Sequence, residues 1–318
     1  MKTYQKILLL FIILLASVFF GVWKGSTNIS LSELFSGTDQ IILRLRLSRI
    51  ILGILTGAGL GVCGVALQAI LRNPLAEPYL LGTSSGAGIG AVLAIITGVS
   101  AIYLPLFAFT GAIFSIILVY NLAREDGRIP VQSLILSGVI VAIALSGLIM
   151  FLISISSNEA LHNMMWWLLG NLQVYDNSLL WIAGIIVTAG LAFIFFLAQD
   201  LNAISLGEEE AAHLGIDIEI LKKILFAVIS LITGALVSIT GMIGFVGLII
   251  PHMMRFVVGP NHKVLIPATC LSAAAFLVIC DTFSRCLFPP VEIPIGVITS
   301  LIGAPIFIVL LKRKQRRL

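Results

Sequence analysis

The stretch that decides the fold is IILGILTGAGLGVCGVALQAIL, residues Ile50 to Leu71, in which no side chain carries a charge. An α-helix needs about 20 apolar residues to cross the hydrocarbon core of a bilayer, and this stretch is long enough. The chain as a whole is 59% hydrophobic and 11% charged, far from the composition of a soluble domain. The sequence therefore predicts an all-α protein, a polytopic bundle of helices in a membrane.

Inside this stretch, GAGLGVCG has the glycine spacing G-x-G-x-x-G, which also occurs in dinucleotide-binding turns. Such a turn needs a strand before it, a helix start at the glycines and an acidic residue about 20 positions later. These glycines instead lie in the middle of an apolar run, and small residues four apart allow helices to approach closely in lipid. The glycines predicted to pack helix against helix are Gly57, Gly61, Gly64, Gly86 and Gly90.

Apolar runs of similar length recur along the chain and predict ten membrane spans in a single domain, residues 1–318. Two runs are too long for one crossing: 78–123 is broken near Pro105, and 224–258 is interrupted by Gly241, Gly244 and Gly247. Both ends of the chain are basic, so the positive-inside rule places both in the cytoplasm and requires an even number of spans. The approximate spans are 7–23, 48–71, 79–97, 103–123, 130–155, 178–199, 224–242, 244–258, 264–284 and 293–311.

The basic residues follow the positive-inside rule with few exceptions. Ten spans place 14 of the 19 Lys and Arg residues on the cytoplasmic side, including the basic tail KRKQRR, residues 312–317. The charges form no basic patch within the chain, so no nucleic-acid partner is expected. The residues that break the rule are Lys24, Arg44, Arg46, Arg49 and Arg285.

The sequence shows no pattern of catalytic or metal-ligating residues. It contains neither G-x-x-x-x-G-K-[ST] nor H-E-x-x-H, and its four cysteines and four histidines are dispersed. Asp281 and Arg285, four residues apart near the end of a predicted helix, form the one clear charged pair in the spans. We therefore do not expect an enzyme, and we expect no metal or cofactor site in this chain.

The longest polar break between spans is DLNAISLGEEEAAHLGIDIEILKK, Asp200 to Lys223. Ser205 and Glu208 have the spacing of a capping box, Gly215 predicts a helix end, and Asp217 can cap a second helix. We therefore expect two short helices, joined at Gly215, on the cytoplasmic surface. A solvated loop is the alternative to a docking element for a cytoplasmic partner. The apolar residues that favour docking are Leu206, Ala211 and Leu214.

Four blocks follow one another in an order typical of a known family, from about residue 40 to the C-terminus. They are RNPLAEPYLLGTSSGAGIGA (72–91), LGEEEAAHLGI (206–216), GFVGLIIPHMMR (244–255) and EIPIGVITSLIGAPIF (292–307). In these blocks the sequence resembles the permease subunits of bacterial ABC importers for iron chelates, haem and cobalamin. The resemblance implies a dimer of permeases around a central path, two cytoplasmic ATPase subunits that bind ATP and Mg, and an extracytoplasmic substrate-binding protein.

The resemblance also implies roles for individual residues. The segment 206–216 is similar to the coupling helices that sit in a cleft of each ATPase, and the implied coupling residues are Gly207, Glu208, Ala211, Leu214 and Gly215. The implied outward-facing arginines, which pair with the binding protein, are Arg46, Arg49 and Arg285, although Ser48 replaces the proline of the family's R-x-P-R element. The turn before the fifth span is similar to the family's inner gate, with Gln132 and Ser133 at its narrowest part.

The sequence leaves several alternatives open. The leading hypothesis is an ABC importer permease in the bacterial cytoplasmic (inner) membrane, whose partner permease is either a second copy or a paralogue. The rival is a gradient-driven secondary transporter that works without an ATPase, which predicts an inverted repeat. A third class is a receptor-like scaffold that transports nothing. Ferric siderophore, haem, cobalamin and oxyanions all remain candidate substrates.

Overall fold

The computed structural model describes residues 2–25, 40–125, 127–174 and 176–315. Within these ranges the chain forms thirteen α-helices and two 3-10 turns. Extended backbone pairs there at two isolated bridges, Glu125 with Arg128 and Phe288 with Val291. The predicted all-α class is confirmed.

Seven helices are long and apolar enough to cross a membrane, and three shorter apolar helices accompany them in the described part of the chain. These ten are α1 (Thr3–Trp23), α2 (Gln40–Ile70), α3 (Thr83–Ile96), α4 (Leu104–Ala123), α5 (Val131–Ser154), α7 (Asn177–Phe196), α10 (Ile218–Thr240), α11 (Val246–Val258), α12 (His262–Cys286) and α13 (Ile295–Gln315). The remaining elements are α6 (Asn158–Leu168), α8 (Ala198–Leu206), α9 (Glu208–His213) and the 3-10 turns Pro78–Leu81 and Ala101–Tyr103.

Two helices begin at least six residues earlier than the hydrophobic pattern predicted. α2 begins at Gln40 instead of residue 48, so the basic residues that were expected to precede the span lie on the helix itself. α10 begins at Ile218 instead of residue 224, because the carboxylate of Asp217 accepts the backbone N–H of Ile220 at 3.0 Å and caps the helix. The length of an apolar run predicts only the part of a helix that lies in the hydrocarbon core. The helix itself can extend beyond that part, to a residue where its terminal backbone groups are capped.

Helices of nearly equal hydropathy differ widely in burial. The most apolar windows of α1 and α2 have mean hydropathies of 2.5 and 2.2, yet 17% of the first and 83% of the second are buried. α2 lies at the centre of the bundle, where it contacts α7, α8, α10, α11 and α12. α1, α4, α5 and α7 expose most of their apolar surface, as helices that face lipid or a partner subunit do.

Glycines let α2 approach its neighbours closely. A Cβ at Gly57 would overlap the carbonyl oxygen of Ala273 in α12, and one at Gly61 would lie 2.7 Å from the Cβ of Ala273. A Cβ at Gly64 would overlap the carbonyl oxygen of Gly247 in α11. The structure therefore places these three glycines at close contacts with α11 and α12, inside one continuous helix, Gln40–Ile70.

The same kind of contact joins α3 to α4. A Cβ at Gly90 would overlap the carbonyl oxygen of Phe107, and one at Gly86 would lie 2.5 Å from the carbonyl oxygen of Gly111. Gly111 in turn faces the backbone of Gly86, so the two helices meet through glycine on both sides. This is the geometry by which small residues hold helices together in lipid.

An irregular joint separates α10 from α11 and splits the long apolar run 224–258. α10 ends at Gly241, whose φ is +67°, and a Cβ there would overlap the carbonyl oxygen of Trp167. The backbone N–H of Ile243 donates to the hydroxyl of Tyr79 at 3.2 Å. Burial raises the pKa of the nearby Glu77 carboxyl, an effect that its hydrogen bond from the Phe245 N–H opposes. Side chains of the 71–82 segment thus satisfy backbone groups that the broken helix leaves unpaired.

Candidate functional site

The two ends of the bundle are distinguished by their polar side chains. α2 and α12 run antiparallel, because Arg49 of α2 pairs with Asp281 of α12 and Gly57 meets Ala273. We call the end that carries Arg46, Arg49 and Arg285 the arginine end, and the opposite end, where α8 and α9 lie, the α9 end. The predicted coupling and gate residues lie at the α9 end.

The capping box predicted at Ser205 and Glu208 was wrong. Ser205 lies in the last turn of α8, where its hydroxyl donates to the carbonyl oxygen of Leu201 at 2.7 Å. The residue that caps α9 is Gly207, and Glu208 is the first residue of the new helix. A serine inside a helix can bond backward to its own helix, so the spacing alone did not determine where the helix begins.

The helix after Gly215 is not a second short helix, as predicted, but the start of the long α10. The short helix of the pair lies before α9, as α8. Gly215 does close α9: its φ is +83°, and the N–H of Ile216 donates to the carbonyl of Ala211 at 3.2 Å. An added Cβ at Gly215 would meet nothing within 4 Å, so this residue is a loosely packed connection.

α9 presents a buried and an exposed face. Ala211 is fully buried against the bundle, while Leu206 and Leu214, which flank the helix, are 75% and 68% exposed. A Cβ at Gly207 would overlap the carboxylate of Glu210. Acidic residues fill the first turn of α9, where the helix dipole favours them. The exposed leucines beside these charges form a mixed surface at the α9 end.

A cavity of about 520 Å³ lies between this surface and the start of α5. Its lining residues are Arg72, Pro130, Val131, Gln132, Leu206, Gly207, Glu208, Glu209 and Glu210. The structure therefore brings the predicted gate residue Gln132 and the predicted coupling segment to the same cavity. Ser133, the other predicted gate residue, donates its hydroxyl to the carboxylate of Glu125 at 2.6 Å.

A buried lysine that the sequence analysis missed connects α9 to α10. The Nζ of Lys222 lies 2.8 Å from a carboxylate oxygen of Glu208 and 3.5 Å from one of Glu219. The second carboxylate oxygen of Glu219 accepts the backbone N–H of Ile129 at 3.1 Å. The neighbouring Lys223 is exposed, so the pair of lysines in the sequence contained no sign of which one turns inward.

Ion pairs cluster at the arginine end. The predicted pair of Asp281 and Arg285 is present, with 3.0 Å between Oδ2 and Nε. Arg49 joins it: its Nε lies 2.7 Å from Asp281 Oδ1, and its Nη1 lies 2.8 Å from Glu292 Oε2. Two acids and two arginines thus join α2, α12 and the segment before α13.

The arginines of this end also bond to the last turn of α1. Arg46 Nη1 donates to the carbonyl oxygens of Val22 and Trp23, at 2.7 and 3.1 Å. Arg285 donates to the carbonyl oxygens of Gly21 and Lys24, both at 3.2 Å. The last carbonyls of a helix have no partner in their own helix, and cations near them are also favoured by the helix dipole.

The three arginines predicted to dock the binding protein are largely buried within this chain. Arg46 and Arg285 are 5% and 3% exposed, and the side chain of Arg49 is 11% exposed. Because α2 begins at Gln40, Arg46 and Arg49 lie within a helix that packs on α1 and α12 and not in a segment before it. Their contacts in this chain are internal.

A second cavity, of about 540 Å³, opens between α6, the loop from α3 to α4 and the end of α10. Both aromatic and polar side chains line it, among them Trp166, Trp167, Glu159 and Asn163. None of the residues predicted from the sequence lines this cavity.

Comparison with known proteins decides the family. The pattern described as the FecCD transport family matches residues 8–313 of the chain. The chain belongs to the FecCD transport family. It is a multi-span permease of the ABC importer class in the inner membrane, a transport subunit, as the resemblance had implied.

Relatives of this FecCD family member support the same assignment. The cobalamin import system permease protein BtuC of Halobacterium salinarum is 42% identical over 88% of this chain and 76% of its own length. The vitamin B12 import system permease protein BtuC of Shigella boydii is 32% identical over 99% of this chain and 97% of its own length.

Solved structures share the fold of this FecCD chain. A metal-chelate type ABC transporter in an inward-facing conformation matches with a TM-score of 0.88 and 33% identity, covering 98% of this chain and 99% of that one. PsaBC from Streptococcus pneumoniae, in complex with Fab, matches with a TM-score of 0.63 at 17% identity, which shows similarity of fold alone.

Proposed function

We propose that the protein moves a metal chelate or tetrapyrrole inward across the membrane, with energy supplied by two separate ATPase subunits. The observation that carries the proposal is the α9 end, where exposed Leu206 and Leu214 flank an acidic helix that borders the same cavity as Gln132. A partner that binds α9 there would act directly beside the residues predicted to form the gate. ATP and Mg are then bound by the partner, since this chain has no motif for them.

The α9 end then faces the cytoplasm. Basic residues gather there, among them Arg72, Arg124, Arg128 and Lys263, as the positive-inside rule requires. Both termini lie on the same side, and the arginine end faces outward, towards a substrate-binding protein. A second permease, as a copy or a paralogue, completes the path by covering exposed apolar surface such as that of α5.

Cobalamin is the substrate we place first among the open candidates. Two relatives, at 42% and 32% identity, are named for cobalamin or vitamin B12 import. The similar solved structure is described as a metal-chelate type transporter, and cobalamin is itself a chelated metal. A bulky chelate suits a path with few charged side chains, because tight binding inside the membrane would slow release.

The test is uptake by proteoliposomes that contain the permease, its cognate ATPase and its binding protein. We expect radiolabelled cyanocobalamin to accumulate only when ATP is present on the side of the membrane where the ATPase lies. Haemin and ferric siderophores serve as competing substrates. Uptake by the permease alone, driven by an ion gradient, would contradict the proposal and favour a secondary transporter. Binding of substrate without any flux would favour a receptor-like scaffold.

Docking of the binding protein on Arg46, Arg49 and Arg285 stays a prediction. Their burial supports a role in holding α1, α2 and α12 together, and a docking role requires that these contacts open when the partner binds.

A further inference from the structure

The ammonium group of Lys222 is buried and therefore needs negatively charged partners within the protein. Lys222 is 2% exposed, and its amine lies between the carboxylates of Glu208 and Glu219, at 2.8 and 3.5 Å. A buried charge that lacks a partner is strongly unfavourable, so the amine holds both acids close to it. The lysine therefore connects the first residue of α9 to the first turn of α10.

Glu219 extends this connection to the beginning of α5. While one of its oxygens faces Lys222, the other accepts the N–H of Ile129 at 3.1 Å. Ile129 is 1% exposed and directly precedes Pro130, which caps α5. The carboxylate thus holds the backbone at the point where the chain turns into α5.

The first turn of α5 and the turn before it form one unit. Glu125 and Arg128 exchange two backbone hydrogen bonds, at 3.0 and 2.9 Å, which close the turn. The hydroxyl of Ser133 donates to the carboxylate of Glu125 at 2.6 Å, which ties this turn to α5. A displacement of Ile129 would therefore carry the predicted gate residues with it.

The covalent connection between α9 and α10 is a poor transmitter by comparison. It runs through Gly215, whose φ is +83° and around which a Cβ would meet nothing within 4 Å. The cavity of about 520 Å³ separates α9 from Gln132 on the other side. The series of polar contacts from Glu208 through Lys222 and Glu219 to Ile129 depends neither on the connection at Gly215 nor on contact across the cavity.

We propose that Lys222 and Glu219 are positioning residues that transmit movement of α9 to the start of α5, and so to Gln132 and Ser133. This inference rests on the proposed function, because it takes α9 as the element that the ATPase moves. The two acids that face Lys222 are half-buried, which leaves the ion pairs able to shift when a partner covers α9.

The experiment measures substrate uptake and ATP hydrolysis on the same proteoliposomes, with the complete transporter. Lys222→Met removes the charge and keeps most of the length, and Lys223→Met makes the same charge change on the exposed neighbour. We expect Lys222→Met to lower the uptake per ATP hydrolysed by about tenfold, a typical size for coupling between sites, while hydrolysis continues. The uptake per ATP hydrolysed by Lys223→Met should stay within about twofold of that of the unaltered protein, since the side chain of Lys223 is exposed and substitutions at the surface usually have small effects.

Two further variants separate transmission from simple stabilisation. Lys222→Arg keeps the charge and the donors, and we expect it to restore most of the uptake per ATP. Glu219→Gln keeps an acceptor for the Ile129 N–H but loses the ion pair, so it should uncouple the transporter partially, even if Lys222→Met fails to assemble.

A direct reading comes from the gate. With a cysteine introduced as Gln132→Cys, the rate of labelling by a soluble thiol reagent should change on ATP addition in the otherwise unaltered protein but not with Lys222→Met. If uptake per ATP and ATP-dependent labelling are both unchanged in Lys222→Met and Glu219→Gln, the connection is refuted and the proposed function stands. If the unaltered transporter shows no ATP-driven uptake, it is the proposed function that fails.

Discussion

The two ends of the molecule use the same chemistry, buried cations between carboxylates, in different surroundings. At the α9 end, Lys222 pairs with Glu208 and Glu219, which are 35% and 30% exposed, and Glu208 lines a cavity. At the arginine end, Asp281 is 2% exposed and receives both Arg49 and Arg285. An acid that water still reaches can exchange partners at modest cost, whereas a fully buried acid cannot. The difference indicates a movable connection at one end and a fixed one at the other.

The fixed end owes its rigidity to backbone contacts as well. Arg46 and Arg285 bond to carbonyls in the last turn of α1, and the hydroxyl of Ser284 donates to the carbonyl of Ile293 at 2.5 Å. At the α9 end, by contrast, the exposed leucines and the cavity leave room for a partner. A transporter driven from one side needs one end that moves against a stable remainder.

The largest effect is expected from Asp281→Asn. It leaves two buried arginines without their common carboxylate, and breaking a buried ion pair typically costs about 3–5 kcal/mol. We expect a large fall in the thermal unfolding temperature of the detergent-solubilised protein. Glu159→Gln makes the same charge change at an exposed acid and should alter stability by less than about 0.5 kcal/mol. Equal stability of the two variants would show that the arginine end is not a fixed connection.

A smaller effect is expected from Arg46→Gln, which removes the donor from the carbonyls of Val22 and Trp23. Leaving buried acceptors unsatisfied costs about 1–3 kcal/mol, so the protein should unfold at a lower temperature. Arg44→Gln, on the exposed side of the same helix, should leave stability unchanged.

The same pair tests the docking prediction. If Arg46 docks the binding protein, Arg46→Gln should weaken binding at low salt and this loss should shrink as salt is added, because charge steering is screened. Binding affinity that is unchanged in both variants would leave Arg46 with its role inside the chain alone.

The smallest effect on stability, but a clear one on transport, is expected from Glu208→Gln. Its carboxylate is half-exposed and Lys222 keeps Glu219 as a second acid at 3.5 Å, so the variant should lower stability less than Asp281→Asn and Arg46→Gln do. ATP-driven uptake should nevertheless fall, because α9 loses its polar connection to α10. Glu209→Gln is the matched control, an exposed acid one residue further along α9. A stability loss as large as that of Asp281→Asn would remove the distinction between the two ends.

Part of the candidate site could be predicted and part could not. The segment 206–216 was recognised because its pattern is specific, and the pair Asp281–Arg285 because both residues lie on one helix at i, i+4. Arg49 and Glu292 were not predicted to join that pair, since they come from other elements. Lys222 was missed because its neighbour Lys223 has the same charge and an equivalent sequence environment. The prediction of a capping box was wrong because the hydroxyl of Ser205 donates to a carbonyl oxygen within its own helix.

By itself, the sequence determined that this is an all-α membrane protein with about ten apolar helices, and that glycines interrupt the run 224–258. Those features depend on local composition: the length of an apolar run and the conformations that glycine permits are the same in any surroundings. The tertiary structure alone decided that α2 and not the similarly apolar α1 is buried, that three arginines are buried within the chain, and that Lys222 pairs with two carboxylates. These outcomes depend on backbone and charge contacts between residues far apart in the chain, because in lipid it is those contacts, and not hydrophobicity, that choose between one arrangement of helices and another.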